Sequence, residues 1–159
     1  MNFQRKNCSM KKNIIISFVS ILLVAGLGTL FTQLGMNWFD SLKKPTEWIP
    51  SFIFPIVWTA IYSLFICLLI KWIQRDSLSK EKVVLLVING ILNVLWCLVF
   101  FTLKQLFLGN VIIIINTLFA IRVYLEICKE KSLNGLVISI YPIWLCIATS
   151  LNMAVWILN

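Results

Sequence analysis

Three sets of residues at helical spacing combine large aromatic rings with hydrogen-bonding groups. Trp58, Tyr62, Phe65, Leu69 and Trp72 form the first. Asn89, Asn93, Trp96 and Phe100 form the second, and Tyr141, Trp144, Ala148, Asn152 and Trp156 the third. Residues three and four apart share a helix face, so each set is a stripe. Indole and phenyl rings hold flat apolar molecules by stacking, and an amide among them adds one directional hydrogen bond. Such a surface recognises a flat ligand; a dry aromatic core is the alternative the same residues allow.

Other chemistries fall away. The chain has no histidine, which removes the commonest metal and haem ligand and the usual acid–base group. Its five cysteines, Cys8, Cys67, Cys97, Cys128 and Cys146, make no C-x-x-C pair. Four of them lie in or at the end of apolar runs and read as small buried hydrophobes. No nucleophile elbow, phosphate loop or central pair of carboxylates is present. No metal site is expected and no cofactor is required. Arg122 and Glu126, four apart, read as a local ion pair, with no ionisable chain across the molecule for proton pumping.

The elements that position these stripes are apolar. Of 159 residues, 60% are hydrophobic and only 13% charged, against about half and a quarter in soluble domains. Five runs are long enough to cross a bilayer, at about 13–34, 51–73, 82–103, 107–127 and 134–158. The expected fold class is all-α, one integral membrane bundle of five transmembrane helices over 13–159 behind a basic tail at 1–12. Short connections after the first predict that consecutive helices are antiparallel neighbours.

Asn89, Asn93, Asn116 and Asn152 then lie at membrane depth, where an unpaired polar group is costly. Asn89 and Asn116 read first as helix–helix glue, and Asn93, beside Trp96 and Phe100, as pocket lining. The net charge of +8 reports orientation rather than nucleic acid binding, since no basic face on a soluble domain exists to carry it. Eleven of the Lys and Arg residues fall on the side of the N-terminus, while Lys43, Lys44 and Lys104 fall on the other. The N-terminus is expected in the cytoplasm and the C-terminus outside. The connector at 38–58, holding Pro45, Pro50 and Pro55 with Trp38, Trp48 and Trp58, is stiffened by its prolines. It reads as an interfacial loop or as a lid over an aromatic pocket.

The sequence resembles the translocator protein family, also called tryptophan-rich sensory proteins or peripheral benzodiazepine receptors. The resemblance rests on Trp38-Phe39 with Leu42-Lys43-Lys44-Pro45, on Phe54-Pro55-Ile56-Val57-Trp58 with Tyr62, and on Leu92-Asn93-Val94-Leu95-Trp96 with Phe100-Phe101. It continues through Tyr141, Trp144, Ala148-Thr149-Ser150-Leu151-Asn152, Trp156 and Asn159. It implies a five-helix bundle of a bacterial cell membrane, often dimeric, with a pocket opening toward the first connector. Family members bind porphyrins such as protoporphyrin IX and benzodiazepine-type or isoquinoline ligands. By this resemblance Trp58 and Trp144 match ligand-stacking tryptophans, Asn93 a helix-three amide and Ala148 a small pocket residue. Phe39 stands where many members have tyrosine.

Three departures accompany the resemblance. The connector reads Trp48-Ile49-Pro50-Ser51 in place of W-x-P-P. The helix-five proline follows the tyrosine, as Pro142, which predicts a moved kink. Residues 150–159 contain no tyrosine, Lys or Arg, so the cholesterol-recognition pattern is absent and cholesterol binding is not expected. The expected ligand-binding residues are Phe39, Trp58, Tyr62, Asn93, Trp96, Phe100, Trp144, Ala148 and Asn152. Binding of a porphyrin or similar flat molecule is the leading expectation. The alternatives are light-dependent porphyrin breakdown, with Trp58 and Trp144 as the reacting residues, and small-molecule transport. Ala25, Gly26 and Gly28 on the first helix permit close helix contact, such as a homodimer would use.

Overall fold

The structure, a computed structural model, describes residues 2–45, 49–130 and 138–159, with side chains from Ser9 onward. Trp48, Lys131 and the expected start of the fifth helix at 134 lie outside the described residues, as do the side chains of Arg5, Lys6 and Cys8. The elements are α1 (Asn2–Ser41), α2 (Ile53–Gln74), α3 (Lys80–Cys97) running into a π-helical turn (Leu98–Thr102), α4 (Leu106–Cys128) and α5 (Ile140–Leu158). All five helices are long and apolar enough to cross a membrane. The molecule is an all-α integral membrane bundle, and no strand occurs among the described residues.

α1 is longer than the apolar run at 13–34 that signals it. Its 40 residues span about 60 Å at 1.5 Å per residue, twice the roughly 30 Å hydrocarbon thickness. The basic segment before residue 13 is helical from Asn2. At the other end Trp38 and Phe39, expected in the connector, belong to the last turns of α1. The helix stops where the Ser41 hydroxyl donates to the Trp38 carbonyl at 2.6 Å, ahead of Pro45, which has no N–H to continue the ladder.

α2 begins with the Ile53 N–H on the Pro50 carbonyl at 3.0 Å. Pro55, third in the helix, falls in the first turn, where a missing N–H costs nothing. Pro142 is third in α5 and is accommodated the same way, so it removes no bond from the helix interior. α2 ends on Asp76 at φ 55°. Ser77 N–H reaches the Trp72 carbonyl and Asp76 N–H the Ile73 carbonyl, a left-handed cap that satisfies two terminal acceptors. Ser79 caps α3, its hydroxyl accepting from the Lys82 N–H.

The helices form a ring in the order α1, α2, α5, α4, α3. Neighbours in sequence are neighbours in space for α1/α2, α3/α4 and α4/α5. The expectation fails for α2 and α3, because α1 packs closely on both. On the α3 side Gly35 lets it do so, since a Cβ there would fall 2.1 Å from the Phe101 carbonyl oxygen; one on Gly28 would make an ordinary contact of 3.5 Å with Cys97 Sγ. Both glycines are thus used inside the bundle, whereas Gly26 faces open space. α2 meets α5 at few positions, through long aromatic side chains rather than close backbones.

A polar knot closes the basic end. Trp72 Nε1–H donates to Glu130 Oε2 at 2.8 Å. Lys82 pairs with the other Glu130 oxygen, donates to the Ser77 carbonyl at 2.8 Å and lies 4.5 Å from the Trp72 ring centroid. Trp72, placed by its spacing on the ligand-facing stripe, serves instead as this structural anchor. Arg122 and Glu126 form the expected local pair at 2.9 Å, shared with Lys129 at 2.7 Å.

Candidate ligand site

The aromatic residues gather in two clusters in the half of the bundle near the connector. In the first, Trp96, Phe100, Phe101 and Ala148 are buried, with Phe39, Leu42 and Trp58 against them. In the second, Ile61, Tyr141, Trp144 and Leu145 are buried, with Ile49, Phe54, Phe65 and again Trp58 packed on them. Trp58 therefore touches both. Its ring centroid is 6.4 Å from Trp96 with 30° between the planes, and 5.6 Å from Tyr62 with 28°. Trp144, 5% exposed, meets Phe54 edge-on at 5.4 Å.

The π turn decides how the first cluster is built. Leu103 N–H bonds to the Leu98 carbonyl at 2.9 Å, five residues back. Widening the turn reduces the angle between successive side chains, so Phe100 and Phe101 both point inward. Their exposures are 0% and 9%, and their rings meet at 5.0 Å. Phe39 closes on them at 6.0 and 5.2 Å. π turns inside helices are frequent at functional sites. Gly35 abuts Phe101, and on the α4 side a Cβ on Gly109 would fall 2.6 Å from Phe100 Cδ2.

The polar residues divide by partner. Asn89 Nδ2 donates to Asn116 Oδ1 at 2.8 Å, and the Tyr141 hydroxyl donates to Asn89 Oδ1 at 2.7 Å. That chain ties α3, α4 and α5, as the glue reading expects. Asn93 Nδ2 donates to the Tyr62 hydroxyl at 3.1 Å, linking α3 to α2 across the interior. Six buried side-chain atoms among the described residues have no partner: Asn93 Oδ1, Trp96 Nε1, Trp144 Nε1, Asn110 Oδ1, Asn116 Nδ2 and Asn152 Nδ2.

Of the expected site residues, Phe39, Trp58, Tyr62, Asn93, Trp96, Phe100, Trp144 and Ala148 belong to or border the two clusters. Asn152 lies apart, against α4, where its carbonyl accepts from Asn110 Nδ2 at 3.3 Å. Trp156, on the same sequence stripe, is 40% exposed and pairs with Phe107 at 5.5 Å. Phe54, Phe101 and Asn110 were not among the expected residues. Phe101 had no periodic signal because only the π turn brings it inward. Asn110 did: it lies seven residues before Thr117 on one face of α4, and Thr117 meets Thr149 of α5 at 3.0 Å.

The connector covers both clusters at its described ends, Leu42 on the first and Ile49 on the second. Asn159 holds it. Lys43 N–H donates to Asn159 Oδ1 and Asn159 Nδ2 donates to the Lys43 carbonyl, each at 3.0 Å. A void of about 10 Å³ borders the second cluster at Ile61, Phe65 and Tyr141, and a cavity of about 230 Å³ lies apart from both clusters, between α1 and α2.

Comparison with known proteins gives one consistent result. The TspO/MBR family model matches residues 16–157. "Protein CrtK" of Rhodobacter capsulatus is 28% identical over 150 residues, 91% of each chain. "Tryptophan-rich protein TspO" of Archaeoglobus fulgidus is 30% identical over 151 residues, 92% of this chain and 96% of that one. The protein of the same name in Bacillus cereus is 26% identical over 155 residues, 94% and 99% of the two chains.

Proposed function

The chain belongs to the TspO/MBR family, and from that premise we propose that it is a receptor-like membrane protein for flat aromatic ligands, porphyrins foremost. The observation that carries this reading is Trp58. Among the described residues it is the one indole that packs on both aromatic clusters, and the polar atoms around it, Asn93 Oδ1, Trp96 Nε1 and Trp144 Nε1, are buried without partners. Each such atom costs about 1–3 kcal/mol. A ligand that is flat and carries both donors and acceptors offsets that cost while stacking on the rings. Protoporphyrin IX meets the description: its macrocycle suits the indoles, its pyrrole N–H groups suit an amide oxygen, and its carboxylates suit indole N–H donors. A carbonyl-bearing benzodiazepine-type molecule meets it in part.

The ligand enters, on this reading, where α2 and α5 meet through side chains alone. Trp58 swings from Trp96, and Phe54 from Trp144, while the connector at 42–52 closes over the guest. The excess of basic residues at the N-terminal end sets that end in the cytoplasm and the connector outside. Titration of protoporphyrin IX against purified protein, followed by tryptophan quenching, tests the site. Trp58→Ala and Trp144→Ala are each expected to weaken binding at least tenfold; unchanged affinity in both defeats the assignment.

A second reading, light-dependent porphyrin breakdown, is favoured by the near-parallel Trp58–Trp96 pair at 6.4 Å, an oxidisable stack beside the guest. Illuminated turnover above the bleaching of free porphyrin, lost in Trp58→Phe and Trp144→Phe, supports it.

A further inference from the structure

The larger cavity is a cleft of about 230 Å³ between α1 and α2, lined by Ile14, Ile15, Ser17 and Phe18 of α1 and by Ile66 and Ile70 of α2. It lies at the basic end of the bundle, far along both helices from Trp58 and the connector. Its volume exceeds the roughly 150 Å³ that admits a benzene-sized guest. Five of its six lining residues are hydrocarbon. The sixth, Ser17, is half-buried and makes no side-chain hydrogen bond among the described residues, although Ser20 one turn on donates to its own helix at 2.8 Å.

Charge surrounds the mouth of the cleft. Lys11 precedes Ile14 by three residues and Phe18 by seven, so it lies on the cleft face of α1. Lys12 is beside it, and Lys71 follows Ile70 on α2. All three are exposed. Of the other cations at this end, Lys82 pairs with Glu130, and Arg122 and Lys129 share Glu126. Lys11, Lys12 and Lys71 have no carboxylate partner among the described residues.

We propose that this cleft is a binding site for one anionic diacyl phospholipid of the adjoining leaflet. An acyl chain lies along Ile14, Phe18, Ile66 and Ile70, and the phosphate rests on Lys11, Lys12 and Lys71. Lysine holds phosphate as a point charge with movable donors, which suits a headgroup that remains partly in water. The Ser17 hydroxyl lies about 9 Å deeper than Lys11 along the α1 axis, where it donates to a glycerol ester carbonyl. A neutral lipid would fill the cleft but leave the three ammonium groups unmatched; basic clusters next to a spanning helix select anionic headgroups. The site is separate from the aromatic clusters and does not depend on what those bind.

Native mass spectrometry of the full chain, delipidated in detergent and given dioleoyl phosphatidylglycerol or dioleoyl phosphatidylcholine, tests the proposal. One retained phosphatidylglycerol per chain is expected, with at least about a tenfold preference over phosphatidylcholine. Lys11→Gln/Lys12→Gln/Lys71→Gln, at exposed positions that leave the packing alone, should bring the two lipids to parity. Ser17→Trp, which fills the cleft, should remove the retained lipid of either kind. Equal retention of both lipids by the unaltered protein overturns the proposal, as does a preference that survives the triple variant or a lipid that survives Ser17→Trp. It also falls if the cleft proves to be covered by a second copy, so that Ser17→Trp turns a lipid-free dimer into monomers.

Discussion

Gly35 of α1 lies against the backbone of Phe101 so closely that a Cβ there would stand 2.1 Å from the Phe101 carbonyl oxygen and 2.4 Å from its carbonyl carbon. The obstacle is backbone, which cannot rotate away. The contact also fixes the π turn, since the Thr102 hydroxyl donates to the Phe31 carbonyl of α1 at 2.8 Å one turn from Gly35. Gly35→Ala should therefore push α1 off the turn and cost about 1–3 kcal/mol, as overpacking of a closed core does. Thermal unfolding in detergent should show a lowered midpoint. Gly26→Ala, where an added Cβ meets nothing within 4 Å, should leave the midpoint unchanged or raise it slightly.

The Asn89–Asn116–Tyr141 chain gives a coupling that can be measured directly. Asn89→Leu strips a donor from Asn116 Oδ1 and an acceptor from the Tyr141 hydroxyl, both buried. The expected cost is about 1–3 kcal/mol. Tyr141→Phe should cost less, because its ring stays packed on Phe65 at 5.0 Å. A double-mutant cycle between them should give a coupling of about 0.6–1.7 kcal/mol, the range of polar contacts between membrane helices. A coupling near zero would mean that these groups are satisfied independently.

Much of this architecture is legible in the chain, for a physical reason. Hydrocarbon demands long uninterrupted apolar helices, so five runs announce five spans, and three-and-four spacing places Asn89, Asn93, Trp96 and Phe100 on the one buried face of α3. What stays hidden depends on backbone detail or on distant partners. The π turn that brings in Phe101 changes the period locally and leaves no trace in a pattern read at 3.6 residues per turn. The separation of α2 from α3 follows from α1 packing on both, with Gly35 against the Phe101 backbone, which a stripe of small residues does not reveal alone. Trp72 fits its stripe by spacing, yet Glu130, 58 residues away, captures its N–H.

That capture leads to a third expectation. Lys82 and Glu130 are 14% and 21% exposed at their side chains, so solvent screens the pair only in part. Glu130→Gln keeps an acceptor for Trp72 but leaves the Lys82 ammonium without its counter-charge. The expected loss is about 1–3 kcal/mol, below that of a fully buried pair. Lys82→Met together with Glu130→Gln should recover part of it, because no unpaired charge then remains. Thermal midpoints of the unaltered protein and the two variants check the order; equal midpoints for the single and double variants would show that the charge itself is not what matters.

The reciprocal bonds between Asn159 and the Lys43 backbone make the end of α5 a clasp on the connector. Asn159 is itself braced, since its Nδ2 also donates to the Val155 carbonyl at 2.8 Å. Asn159→Leu removes both bonds to the connector together with the brace to Val155 at the last residue of the helix, and each bond to the connector is worth about 0.5–1.5 kcal/mol, toward the lower figure at this exposed site. The Lys43 amide should then exchange its hydrogen several-fold faster, with the amides of α2 and α5 unchanged, because only the local opening becomes easier. If the connector covers the ligand site as proposed, porphyrin should both enter and leave faster in this variant, with a smaller change in affinity than Trp58→Ala produces. Unaltered exchange at Lys43 would show that the connector is held by Leu42 and Ile49 on the aromatic clusters, and that the clasp adds nothing to it.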